Sequence, residues 1–281
     1  MAKKLRQLRR RIRNIQHIRD IAKAMYTIAS SQIIQRKKEL FPARVFPTEA
    51  IKILGDLRAL ARANHIYHPL LEGHGRKGLG LLVVNADRGL CGRYVADVNE
   101  AALRFVQERG EAKLILVGDK AIRFLGRHWP AAEEFRRLER PRLSHAQTLT
   151  EKILALYEEV GEVHAVYTEF RGDLVQRVRV ERLLPIPVPE RPAWKLLVEP
   201  DLWTAIEGLG KIWLLGRIYQ ILLEAKTAEH AARRQAMKNA TDNADEILEK
   251  LTIQYNKARQ QSITLELMDI MGGAEAIREE L

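Results

Sequence analysis

Three short segments of this 281-residue chain hold residue types from which an active site could be built. The first, Asn85-Ala86-Asp87-Arg88-Gly89-Leu90-Cys91-Gly92, follows the apolar run Gly80-Leu81-Leu82-Val83-Val84, where a nucleotide fold would carry its phosphate loop. Such a loop needs glycines where backbone N–H groups must approach the anion, spaced G-x-G-x-x-G or G-x-x-x-x-G-K-[ST]. Neither spacing occurs. Gly73-His74-Gly75-Arg76-Lys77 has glycines and cations but precedes a strand instead of opening a helix, so no helix N-terminus would face a pyrophosphate. Cys91 could be a nucleophile on a turn, yet no base can be nominated, and a half-buried structural thiol is the expectation. His65 and His68 stand at i, i+3 without an H-E-x-x-H arrangement and read as solvated loop histidines. No catalytic residue, cofactor or metal is expected.

Composition narrows the classes further. A hydrophobic content of 46% is enough for a core without staples, and a single cysteine cannot close an internal disulfide, which points to a reducing compartment. No window approaches 18 consecutive apolar residues, so no membrane span is expected. The first residues lack the apolar core of a signal peptide and are read as mature protein. The formal net charge of +11 is unevenly placed: residues 1 to 40 carry twelve Lys and Arg against Asp20 and Glu39, a net of +10. Such a segment can meet nucleic acid, a membrane surface or an acidic protein. Seven basic residues lie within the first thirteen, but no aromatic residue is there for base stacking, which disfavours nucleic acid.

The elements that would position these segments follow from proline and glycine. Neither occurs from Met1 to Phe41, where Leu5, Leu8, Ile12, Ile15, Ile18, Ala22, Met25 and Ala29 recur in steps of three or four, one narrow helical stripe. Pro42 and Pro47 should bend or interrupt this helix, and Glu49 to Ala63 reads as helical again. After Pro200 there is no proline, and from Arg217 to Met271 no glycine, which gives a helix roughly 80 Å long. Ala225, Ala228, Ala232, Ala236, Ala240 and Ala244 line one face of it, with Ile247, Leu248, Leu251 and Tyr255 beyond. Narrow-striped helices are marginal alone. The two chain ends are therefore predicted to pair as a long antiparallel coiled coil.

Between them, strand and helix signals alternate. Gly80 to Asn85 and Lys113 to Gly118 read as buried strands, Tyr94 to Arg109 as a helix ending at Gly110, and Ser144-x-x-Gln147 as a capping box opening a helix toward Gly161. Val163 to Phe170 and Leu174 to Leu184 form a hairpin across Arg171-Gly172-Asp173, and Pro185, Pro187, Pro189 and Pro192 a stiff linker. The predicted class is α+β: a terminal coiled coil with a Rossmann-like α/β domain inserted. Its divisions are residues 1–60, 77–192 and 200–281. By composition and pattern alone, a free Rossmann-type nucleotide enzyme and a basic coiled-coil nucleic-acid-binding protein stay open as alternatives.

Four motifs then carry a resemblance. Ile21-Ala22-Lys23-Ala24-Met25-Tyr26-Thr27-Ile28-Ala29-Ser30-Ser31 resembles the I-T-K-A-M-x-M-V-A-x-S segment of F-type ATP synthase gamma subunits. Asp87 to Gly92 is similar to that family's D-R-G-L-C-G loop, and Glu229 to Ala244 to its S-E-x-x-A-R-x-x-A-M-x-x-A-T-x-N-A block. Tyr255 to Ala274 resembles its C-terminal signature. Ala228 stands where the family has Ser, and Arg93 where a second Gly is common. The chloroplast cysteine insert is absent, so the resemblance is to the bacterial type.

The resemblance implies a non-catalytic central rotor shaft that couples proton flow through a membrane ring to ATP synthesis or hydrolysis. Its expected partners are the alpha and beta subunits, epsilon and the membrane c-ring, with no nucleic acid and no membrane span of its own. The expected location is peripheral, on the cytoplasmic face of the cell membrane. By position, Arg259, Gln260 and Thr264 look like the residues that meet a beta loop near the shaft top. Lys23, Met25, Asp87, Arg88 and Cys91 resemble the segments beside the lower alpha and beta loops. Glu199 is similar to a family glutamate beside the membrane ring.

Overall fold

The computed structural model describes residues 2–192 and 197–279, and side chains from residue 4 to residue 271 outside that gap. The predicted helix ends at Met1, Glu280 and Leu281 lie outside the described residues. In chain order the elements are α1 (Ala2–Ala63), α2 (Pro69–Glu72), β1 (Leu79–Val84), α3 (Tyr94–Arg109), β2 (Ala112–Val117) and α4 (Asp119–Leu125). They continue with β3 (Ala131–Phe135), α5 (Leu143–Tyr157), β4 (Glu162–Phe170), β5 (Gln176–Leu184) and α6 (Leu202–Glu279). The chain divides into two compact units, Met1–Ile28 with Ala236–Leu281, and Ala29–Gln235.

In the first unit α1 and α6 run antiparallel. Arg9 donates to the Tyr255 hydroxyl at 2.7 Å and Arg19 pairs with Asp245 at 3.6 Å, so ten residues up one helix match ten down the other. The α6 seam passes through Met237, Ala244, Leu248, Leu251, Ala258 and Ser262, all buried, at the alternating steps of three and four of a coiled coil. On α1 the half-buried positions are Leu5, Leu8, Ile12, Ile15 and Arg19, then buried Ala22. Ile18, predicted on the stripe, is 55% exposed. A step of three from Ile12 to Ile15 must be followed by four to average 3.5, and that lands on Arg19. Ile247 also lies off the seam, at 41% exposed.

In the second unit α1 is not broken by proline. Pro42 and Pro47 lie inside one continuous helix, correcting the expected interruption. Each removes a helix N–H at a cost of about 3 kcal/mol. Burial of Leu40, Ala50, Leu54 and Leu57 offsets this at about 1.5 to 3 kcal/mol for each large side chain. Contact with α6 is close here: a Cβ on Gly216 would stand 2.7 Å from the Phe46 ring.

Five strands form one sheet in the order β3-β2-β1-β4-β5, with β1, β2, β3 and β4 parallel and β5 antiparallel at one edge. Alternate residues serve opposite faces. Leu82, Val84, Ile115 and Val117 join α5, the end of α1 and the start of α6 in one cluster, while Leu81, Val83, Leu114 and Leu116 meet α3 and α4 in another. Sheet order and β3 were not legible in the sequence, since Ala131-Ala132-Glu133-Glu134-Phe135 lacks β-branched residues and sits at an edge. The predicted capping box is also replaced. The helix opens at Leu143, and the Arg142 backbone N–H donates to His145 Nδ1 at 3.1 Å.

Candidate functional site

An open α/β sheet binds its ligand outside the carboxyl ends of its strands, where the strand order reverses. Here that point lies between β1 and β4, and the chain fills it with its own residues. Beyond β1, Asp87 Oδ1 accepts from the backbone N–H groups of Asp119 (3.2 Å) and Arg137 (3.0 Å), and Oδ2 receives Lys226 Nζ at 3.2 Å. Lys226 also bonds Glu229 (2.8 Å), and Glu229 bonds Arg233 (2.7 Å), whose guanidinium reaches the Gly89 carbonyl at 3.3 Å. Tyr94 donates to the Ala225 carbonyl at 2.9 Å. Beyond β4, the carboxylate of Glu224 accepts from the Phe170 N–H (2.9 Å) and from Arg44 (2.7 Å), tying α6 to the sheet and to α1.

The electrostatics agree with this closure. Burial would lower Lys226, but Glu229 and Asp87 outweigh it and hold the ammonium above its ordinary pKa. Burial would raise Glu229, but Lys226 and Arg233 keep it below the ordinary carboxylate value. Burial pushes the Cys91 thiol up against the pull of Arg233, and the cysteine, expected to be half-buried, is fully buried. His68 departs from the expected solvated state. It is buried, accepts from the Leu70 N–H through Nδ1 at 3.2 Å, packs its ring 4.3 Å from Trp203, and burial lowers its pKa. Its place before Pro69, as the N-cap of α2, was the available signal.

Among the described residues no three His, Cys, Asp or Glu side chains are grouped as metal ligands. A groove of about 670 Å³ between β2, β3 and α5 is lined by Lys113, Lys152, Glu133 and Glu159. Its cations are already paired, Lys152 with Glu133 at 2.5 Å and Lys113 with Glu159.

The sequence-derived contact residues divide between the two units. In the first, Arg259, Gln260 and Thr264 are exposed on α6, with the Thr264 hydroxyl donating to the Gln260 carbonyl at 3.0 Å. Lys23 is exposed and Met25 half-buried on α1. In the second, Asp87 and Cys91 point inward, while Arg88 is 75% exposed and paired with Glu139. Glu199 is exposed just before α6. Sequence reasoning missed Lys226, Glu224 and Arg44, because nothing in their local pattern separates a buried charge on a helix from a solvated one.

Comparison with known proteins accords with this arrangement. The family model described as ATP synthase matches residues 4–277. The ATP synthase gamma chain of Dehalococcoides mccartyi (strain CBDB1) is 34% identical over 97% of this chain and 99% of its own. That of Mycobacterium leprae is 35% identical over 99% of each. Among solved structures, a chain of the Euglena gracilis mitochondrial ATP synthase F1 and c-ring assembly aligns with a TM-score of 0.69 and 17% identity over 99% of this chain and 95% of its own. A chain of the Tetrahymena thermophila central stalk and c-ring gives 0.63 and 22% over 79% of this chain and 99% of its own. The structural likenesses speak for the fold, and the matches to the bacterial sequences, end to end, decide the family: this chain belongs to the ATP synthase gamma chains, subunits without a catalytic centre of their own.

Proposed function

We propose that this chain turns as the central shaft inside a ring of alpha and beta subunits, linking proton flow through a membrane ring to the state of each catalytic beta site. The observation that carries this reading is apolar surface left bare on the paired helices and on the stretch of α6 beyond their buried seam. Ile18, Ile21 and Ile28 on α1 are exposed beside a buried seam, and Ile263, Leu267, Met268, Ile270 and Met271 are exposed on α6 past Ser262, its last buried seam residue. Apolar side chains clustered in this way mark a surface that a partner covers. A sleeve around the shaft would do so without fixing one rotational position. Rotation then acts by linkage, since the shaft biases a beta site only as far as its contacts differ between positions.

Within this reading, residues 1–60 and 200–281 form the shaft and 77–192 the side domain. Arg259, Gln260 and Thr264 meet a beta loop near the top, and Lys23 and Met25 face the lower alpha and beta loops. The Asp87 to Gly92 loop shares that neighbourhood. There Arg88 is the contacting side chain, and Asp87 and Cys91 act inward to set the loop's shape. Glu199 meets the membrane ring, with epsilon beside it. The subunit is peripheral, no described helix being long and apolar enough to cross a membrane, and it sits on the cytoplasmic face of the membrane.

Affinity purification of the chain from native membranes tests this directly. An alpha/beta ring and epsilon should accompany it in fixed ratio, and the purified chain alone should neither bind nor hydrolyse ATP. A solitary chain with a stoichiometric nucleotide site in equilibrium dialysis would refute the shaft reading.

A further inference from the structure

The segment joining β3 to α5 reads Arg136-Arg137-Leu138-Glu139-Arg140-Pro141-Arg142, four arginines and one glutamate in seven residues. It is held down at two points, by the buried side chains of Leu138 and Pro141. Its backbone is fixed at a third, where the Arg137 N–H donates to Asp87 at 3.0 Å. All four arginines are nevertheless exposed. The ion pair between Arg88 and Glu139 joins this segment to the 87–92 loop, so the two present one continuous surface. Arg136 is answered by Glu134 (2.9 Å) and Asp119 (3.2 Å). Among the described residues Arg137, Arg140 and Arg142 form no ion pair, although each is carried on a rigidly seated loop.

Cations gathered this densely repel one another in the free chain, and a carboxylate-rich surface relieves that repulsion. The segment holds no aromatic residue, so it lacks the stacking platform that a single-stranded nucleic acid would use. We propose that Arg137, Arg140 and Arg142 form a docking surface for a carboxylate-rich protein segment on the surrounding alpha/beta ring, continuous with the contact made by Arg88. The proposal rests on the shaft reading, because that reading places the 87–92 loop beside the lower alpha and beta loops. Exposed arginines give attraction without a single locked geometry, which a surface that must engage and release at each turn requires.

The test is ATP hydrolysis by the chain reconstituted with its alpha and beta subunits, measured from low to high ionic strength. The variants are the triple Arg137→Gln, Arg140→Gln, Arg142→Gln and the charge-preserving triple to Lys. The screening length shrinks from about 30 Å at 0.01 M salt to about 3 Å at 1 M. The Gln triple should therefore run roughly three- to tenfold below the native complex at low salt and converge with it at high salt. The Lys triple should recover most of the difference. Circular dichroism of each free variant should match the native chain. A Gln triple with native turnover at every salt concentration, in a fully assembled complex, overturns the docking surface alone. Failure of the native chain to assemble with alpha and beta overturns the shaft reading and this proposal together. Salt-dependent retention on a DNA column that the Gln triple loses, with turnover untouched, reassigns the patch to nucleic acid.

Discussion

Lys226 Nζ on α6 lies 3.2 Å from the carboxylate of Asp87, 139 residues away in sequence, with both side chains buried. The loop that would carry phosphate in a nucleotide enzyme is thereby tied to the long helix. Glu229, 2.8 Å from the same ammonium, completes a compact charged cluster. Breaking one side of such a cluster leaves buried charge unanswered at a cost of about 3 to 5 kcal/mol. Lys226→Met should therefore lower unfolding free energy by that amount in urea titration. A change below about 1 kcal/mol would mean that water already reaches the cluster.

Glu224 joins three elements, accepting from Arg44 on α1 and from the Phe170 N–H at the end of β4. Glu224→Gln keeps the shape but removes the charge-assisted bonds, so a loss of about 1.5 to 3 kcal/mol is expected. Thermal unfolding followed at the sheet and at the helices should show both shifting together.

His230 supplies a pH signature. Burial lowers its pKa to about 4, prevailing over the raising influence of Glu229, while Arg233, Lys226 and Arg36 also disfavour the imidazolium. Unfolded, the ring takes up its proton near pH 6.5, so between pH 6.5 and 4 the unfolded chain binds more protons than the folded one. The stabilisation is complete above pH 6.5 and is lost as pH falls toward 4, about 3 kcal/mol in all. His230→Gln should flatten the stability profile in that window. An equally steep profile in the variant would assign the slope to other groups.

The coiled-coil register makes Ile15 and Ile18 unequal, the first half-buried on the seam and the second exposed. In the free chain Ile15→Glu should cost roughly 1 to 3 kcal/mol, and Ile18→Glu should stay within about 0.5 kcal/mol. In the assembled ring Ile18→Glu should impair turnover, because the bare isoleucine is part of the surface that the sleeve covers. Equal destabilisation of the free chain by both would place Ile18 on the seam.

Arg259 and Gln260 are exposed neighbours on α6. If each bonds a beta loop in one rotational position only, losing a charge-assisted bond of about 1.5 to 3 kcal/mol changes state populations roughly ten- to a hundredfold. Arg259→Ala with Gln260→Ala should lower multisite hydrolysis with subunit content unchanged. Native turnover in a complete complex would remove both residues from the mechanism.

Local regularity was legible in the sequence wherever one period runs long. The glycine-free reach of α6, the apolar stripe of α1 and the runs at Gly80 and Lys113 each follow from a repeat of 3.5 or from unbroken apolar character. The absence of phosphate-loop spacing at Asp87 to Gly92 likewise needed no structure, because backbone access to an anion depends on glycine placement. The order β3-β2-β1-β4-β5, the continuity of α1 through Pro42 and Pro47 and the shift of the seam from Ile18 to Arg19 were decided by packing between distant segments. So was the burial of Lys226, Glu224 and Asp87. An isolated helix treats Lys226 as one more solvated cation, and only the return of the 87–92 loop against α6 removes water from it and makes Asp87 and Glu229 its partners. A charge's surroundings are a property of the whole fold, whereas the spacing that makes a helix or denies a phosphate loop is written along the chain.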